Sequence, residues 1–364
     1  VLFTGGKTMF KKVMIENFRG ISSLELNNLR QFNLFVGKNN CGKTSLLESI
    51  IFISNPSNPL NPVLVNSIRG YYITQPYSWT VLFNKMDIEF PIRLTGEMLK
   101  PKEIRTLSIR TLPEKNAAQT TYEAFDFSLK GSRREFSDKI TGLSIEFSIS
   151  KKSEKKQTYE SKIWLGKENK WESAPPGNYT ETLKSTFLTP VIIRADIPAR
   201  FNEVLIKKQE EKILKILKII EPRLVNLSIG AENILYCDMG FTRLLPLSTA
   251  GEGLNNLLAI ILAIYETSGG VVLIDEIENG LHHSTQAILW DAVFEAATAF
   301  NVQVFASTHS YETVKSFSAA CEKIKDKDDN IRLFRLENEK DKIRLFEFNY
   351  EMLKTSLESY WEVR

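Results

Sequence analysis

The chain has 364 residues, 43% of them hydrophobic and 25% charged, with a formal net charge of +3. Such a length holds one large core, or a core carrying a long inserted segment, and so balanced a charge does not by itself indicate a polyanionic partner. Cys41, Cys237 and Cys321 stand far apart without metal-ligand spacing, against a disulfide framework or a zinc site, and no apolar run approaches the roughly 18–20 residues that span a bilayer, so a cytoplasmic location is expected.

Val1 to Thr8 carry no pattern, precede a plausible start at Met9, and are assigned no function. Lys12–Asn17 and Phe32–Val36 read as short strands on either side of a turn at Asn27 and Asn28. Ser45–Ile53 has apolar residues at helical spacing and is stopped by the Asn-Pro-Ser-Asn-Pro run that starts at Asn55. From about Asp87 to Lys170, short alternating segments such as Leu143–Ile149 are separated by charged runs such as Lys151–Lys156, which predicts an antiparallel, β-rich insertion. Arg200–Leu224 reads as one helix with Ile213, Ile216, Leu217 and Ile220 on its buried face. From Leu254 onward the order is helix, buried strand at Val271–Ile274, helix at Gln286–Phe300 and buried strand at Val302–Ala306, the alternation of a parallel sheet. Two further strands, Ile331–Leu336 and Ile343–Phe348, close the chain. Three segments follow: 9–86 and 236–364 as two halves of one α/β unit, with 87–235 inserted between them.

Three constellations carry chemistry. Gly37-Lys38-Asn39-Asn40-Cys41-Gly42-Lys43-Thr44 fits G-x-x-x-x-G-K-[ST] between a strand and a helix, the setting in which loop amides wrap phosphates. Lys43 then offers a point charge to β and γ oxygens, Thr44 a hydroxyl to magnesium, and Gly37, Asn39, Asn40, Cys41, Gly42 and Ser45 complete the cradle for ATP. Val271–Ile274 ends in Asp275 and Glu276 at the carboxyl edge of the sheet, where such folds bind ligands; Asp275 suits magnesium and Glu276 suits the general base that polarises water. Val302–Ala306 delivers Ser307-Thr308-His309-Ser310 to the same edge, so that His309 is placed to sense a γ-phosphate. His282 and His283 begin the next helix and are left open between packing and function.

In that order, and with a long segment between the first two, these motifs resemble the ATPase heads of the ATP-binding-cassette superfamily. Met14-Ile15-Glu16-Asn17-Phe18-Arg19-Gly20-Ile21 is similar to the I-x-N-F-R strand and turn of its soluble branch: RecF-like proteins, chromosome-maintenance heads and the overcoming-lysogenization-defect (OLD) ATPases. Asp275-Glu276-Ile277-Glu278-Asn279-Gly280-Leu281-His282 and Thr308-His309-Ser310 resemble the small stand-alone OLD-like members. The resemblance implies an ABC-type P-loop head with a mixed, mainly parallel central sheet and a β-rich plus helical insertion. It also implies ATP and Mg2+ as ligands, Lys43, Glu276 and His309 as catalytic groups, Thr44 and Asp275 as metal ligands, and Arg19 near the nucleotide. Leu247-Ser248-Thr249-Ala250-Gly251-Glu252-Gly253 occupies the place of the signature that reads a partner's γ-phosphate but departs from Leu-Ser-Gly-Gly, so Ser248 or the Gly251 and Gly253 amides would make that contact. Gln75 is a weak match to the expected glutamine loop. The implied partners are a second copy of the chain and a separate effector, possibly a nuclease, in bacterial anti-phage defence, since about one or two elements follow the histidine strand; a RecF-like DNA clamp is the alternative.

Overall fold

The computed structural model describes residues 9–73, 76–99, 102–113, 140–151, 156–166, 170–193, 196–281, 283–324, 330–340 and 342–359. Two sheets enclose one helix. The first is antiparallel and holds β1 (Phe10–Phe18), β2 (Ile21–Leu26), β4 (Ile92–Met98), β5 (Glu103–Pro113), β6 (Ile140–Lys151), β7 (Gln157–Leu165) and β8 (Trp171–Ala174), in the order β2-β1-β4-β5-β6-β7-β8. The second runs β16 (Lys342–Phe348), β15 (Ile331–Glu339), β3 (Phe32–Val36), β14 (Gln303–Ser307), β13 (Val271–Ile274), β9 (Ser185–Leu188). A small third sheet joins β10 (Asn226–Ile229), β11 (Leu235–Asp238) and β12 (Leu245–Pro246).

The strands of the second sheet are apolar at successive positions because both faces are covered. Phe32, Leu34 and Val36 of β3, Val272 and Ile274 of β13, and Val304 and Ala306 of β14 face one core, while Phe35, Val271, Leu273 and Phe305 face the other. That alternation is the period of two expected of a strand. The first core is roofed by α3 (Ile197–Ile206), α4 (Glu210–Leu217), α5 (Glu252–Glu266), α6 (His283–Ala299), α7 (Tyr311–Cys321) and α8 (Tyr350–Glu358). In the second core, α1 (Lys43–Ser54) lies between the sheets, with Leu46, Leu47, Ile50, Ile51, Phe52 and Ile53 all buried. A helix buried on every side belongs inside, and here it fixes the phosphate loop to both sheets.

Two expectations need correction, and the inserted segment finds its place. The six-stranded sheet is parallel from β15 to β9 and antiparallel only where β16 returns, but the seven-stranded sheet is antiparallel throughout, so the β-structure taken together is mixed and largely antiparallel. Segment 87–235 is divided between the two cores: β4 pairs directly with β1 and carries the sheet outward, whereas α3 and α4 pack on the other core. The helix expected over Arg200–Leu224 is two, broken between Ile206 and Glu210, where Lys208 adopts a left-handed φ of 52° that interrupts helical hydrogen bonding. Ile213, Ile216 and Leu217 are nevertheless buried. Among the described residues no helix is long and apolar enough to cross a membrane.

Candidate nucleotide site

Buried β3 feeds the chain into the loop at Gly37, whose φ of 144° and surroundings admit only glycine: an added Cβ would lie 2.4 Å from the Leu336 carbonyl oxygen. Gly42, with φ of 97°, turns the chain into α1, and no side chain caps that helix start, so its first amides remain available to an anion. The buried Lys43 ammonium donates to the carbonyls of Gly37 at 2.7 Å and Lys38 at 3.0 Å, curling the loop around its own charge.

The acids arrive from β13. Asp275 accepts from the Thr44 hydroxyl at 2.8 Å on one oxygen and from the Ser307 hydroxyl at 2.5 Å on the other. Ser307, at the end of β14, also accepts from the Glu276 amide at 2.9 Å, so one serine aligns both acids. Glu276 has a φ of 49°, a left-handed conformation that costs a non-glycine residue on the order of 1–2 kcal/mol and breaks the strand so that its side chain turns into the pocket. Asn279 donates to the Glu276 carboxylate at 3.4 Å.

The opposite wall is an ion cluster. Glu48 of α1 is fully buried, with Arg19 Nε 2.6 Å from its carboxylate and Arg69, just after α2 (Asn61–Ile68), donating from Nε at 2.6 Å and Nη2 at 3.1 Å. Arg19 also donates to the Asn66 side-chain oxygen at 2.8 Å, and Arg69 to the Ser45 hydroxyl at 3.2 Å. Burial pushes the Glu48 carboxyl up, and the two guanidiniums oppose it; the same burial pushes Arg19 down despite Glu48.

Together these residues bound a pocket of about 510 Å³ lined by the loop from Asn39 to Ser45, Arg19, Gly20, Arg69, Val81, Phe83, Lys85, Met86, Asp275 and Glu276. It gathers the phosphate loop, both acids and Arg19, as the sequence suggests, although the Arg19 guanidinium is committed to Glu48 and Asn66. His309 does not line it. Its half-exposed ring stands beside Glu278 instead, with Nδ1 3.2 Å from the carboxylate. Ser248 and Gly251 are exposed, and Gly251 and Gly253 line a separate depression with Glu221, Gly280 and Leu281. Gln75 and His282 lie outside the described residues, as does the side chain of His283.

A family profile described as "AAA ATPase domain" matches residues 9–314. The chain belongs to that family. A Helicobacter pylori protein named "ATP/GTP phosphatase" is 23% identical over 333 residues, which cover 84% of this chain and 87% of that protein. The DNA replication and repair protein RecF of Actinobacillus succinogenes is 46% identical over 97 residues, 24% of this chain and 27% of RecF. Among solved structures, an Smc head bound to the C-winged helix domain of ScpA superposes with a TM-score of 0.50 at 9% identity, covering 94% of this chain and 98% of the other. The fold is thus that of an SMC-type ATPase head.

The donors of this ATPase domain fit magnesium. Thr44 and Asp275 present hard oxygen atoms 2.8 Å apart, and among the described residues no cluster of three or more His, Cys, Asp or Glu could hold a metal by itself. Magnesium characteristically takes one or two protein oxygens and completes its shell with substrate phosphates and water. Sequence reading missed Glu48, Asn66, Arg69, Ser307 and the wall from Val81 to Met86. Only Glu48 left a signal: a carboxylate inside the largely apolar run Leu46 to Ile53 requires a buried counter-charge.

Proposed function

We propose that this ATPase domain hydrolyses ATP to ADP and phosphate, with magnesium, in a site completed by a second copy of the chain. The observation that carries the reading is that the signature segment, Ser248 to Gly253, takes no part in the pocket of its own phosphate loop. Lys43 and the first amides of α1 would hold the β and γ phosphates, with Thr44 and Asp275 as the magnesium ligands. The metal, when bound, neutralises charge on those phosphates. Glu276, steered by Ser307 and Asn279, accepts a proton from the attacking water as its oxygen bonds to the γ phosphorus and the bond to the bridging oxygen breaks. His309, outside the pocket of the single chain, would reach the γ-phosphate from the neighbouring strand end as the two copies close over nucleotide. Glu276→Gln should lower turnover on the order of 10²- to 10⁴-fold and trap an ATP-dependent dimer in light scattering. A Glu276→Gln protein that stays monomeric at saturating ATP sinks the composite site.

The OLD-like motifs support a regulator in bacterial anti-phage defence that works through a separate effector. A pull-down from the host that recovers no effector, with phage sensitivity unchanged on deletion, removes that reading. Similarity to RecF supports the alternative, an ATP-dependent DNA clamp. Filter binding at two salt concentrations, with and without ATP, separates the two, because a clamp needs tight and salt-sensitive DNA affinity.

A further inference from the structure

The turn after β13 carries a third acid, Glu278, which does not line the pocket. The Glu278 side chain is 8% exposed, and its Oε1 accepts the His309 backbone N–H at 3.0 Å while facing His309 Nδ1 at 3.2 Å. Its other oxygen, Oε2, is buried without a hydrogen-bond partner. A carboxylate withdrawn from water with one oxygen unpaired is costly, so stability does not account for the placement. The same turn bears the proposed base: the Ile277 N–H donates to the Ser307 carbonyl at 3.1 Å, and the Ser307 hydroxyl joins Asp275 to the Glu276 amide. Residues 307–309 lying along residues 275–279 therefore fix the acids and the imidazole on one frame.

We propose that Glu278 is a positioning residue for His309: by accepting Nδ1–H it fixes which nitrogen carries a proton and leaves Nε2, at the far side of the half-exposed ring, for the substrate. Nδ1 keeps its proton whether the ring is neutral or charged, and Nε2 then accepts from water in the first case or donates to a phosphate oxygen in the second. This is the part played by the orienting carboxylate of a catalytic triad. It rests on the reading of His309 as the group that meets the γ-phosphate.

The chain contains three histidines, so ¹⁵N-histidine labelling gives a short spectrum, and His309→Gln assigns the signals. In the wild-type protein His309 Nδ1 is expected to appear as a protonated nitrogen; in Glu278→Leu it should become unprotonated as the ring reverts to the Nε2–H form that free imidazole favours. Glu278→Gln, which keeps an accepting oxygen, should restore the wild-type signal. Turnover should fall roughly tenfold to a hundredfold in Glu278→Leu, as for other carboxylates that orient functional histidines. KM should hold within about twofold, and the loss should vanish in a His309→Gln background. An unprotonated Nδ1 in the wild type, a signal unmoved by Glu278→Leu, or an equal loss of turnover in the His309→Gln background each overturns the inference. Wild-type turnover in His309→Gln alone instead brings down the reading of His309, and leaves Glu278 nothing to position.

Discussion

At the scale of single residues, Glu48 separates what the sequence tells from what it hides. Lys43, Thr44, Asp275 and Glu276, which line one pocket, stand out in the sequence because the proposed chemistry demands fixed residue types at short spacings. Glu48 meets Arg69 across 21 residues and Arg19 across 29, and no local pattern encodes such a meeting. Removing Arg19 leaves the buried Glu48 to Arg69, so Arg19→Ala, whose side chain is 10% exposed, loses charged hydrogen bonds and is expected to cost about 2–3 kcal/mol in urea unfolding. Arg69→Ala should cost less, because water reaches its 36% exposed side chain. A half-buried group gives a pH signature. Tyr179 donates to Glu181 at 3.0 Å, and burial, reinforced by that carboxylate, pushes its hydroxyl well above its ordinary 10.0. The folded chain then holds a proton that the unfolded chain releases, so this contribution to stability is present below pH 10 and is lost as pH rises beyond it. Urea midpoints should fall more steeply from pH 9 to pH 11 in the wild type than in Tyr179→Phe; parallel slopes would remove Tyr179 from the account.

At the scale of elements, strand periodicity announced the β-rich stretch but not the sheet it joins. Alternation specifies a buried and an exposed face, whereas the choice of β1 as the partner of β4 depends on a pairing across some 80 residues. β2 escaped because Ile21, Leu24 and Leu26 are its only buried positions in six residues. The β15–β16 hairpin was legible as two strands, and its use was not: it braces the phosphate loop, with Asn338 donating to the Asn40 carbonyl at 2.8 Å, Leu336 against Gly37 and Ile343 against Gly42. Asn338→Ala is expected to cost about 1 kcal/mol of stability and to raise KM for ATP more than it lowers kcat, since it loosens the loop without touching the acids. Gly37→Ala forces both a strained φ and a clash with the Leu336 carbonyl, and should abolish nucleotide binding in a fluorescent-ATP titration while circular dichroism shows the sheets retained.

At the scale of the molecule, half of the proposed site is legible in one chain and half only between two. The segment proposed as the signature departs from Leu-Ser-Gly-Gly, yet α5 still starts from Gly251 at a φ of 117° and no side-chain cap, an exposed helix start that its own phosphate loop does not meet. Complementation tests whether a second copy does. Lys43→Ala removes the phosphate-binding charge, and Gly251→Arg fills the helix start; each protein alone should be inactive, because every site in either homodimer is defective. In an equal mixture half of the dimers are heterodimers, each with one site built from the intact loop of the Gly251→Arg chain and the intact signature of the Lys43→Ala chain. With independent sites, turnover should recover to about a quarter of the wild-type value, as two-fold symmetry dictates. If mixed subunits exchange, as light scattering of tagged chains can establish, and turnover stays at the level of the two parents, the phosphate loop and the signature segment do not complete one another across two chains.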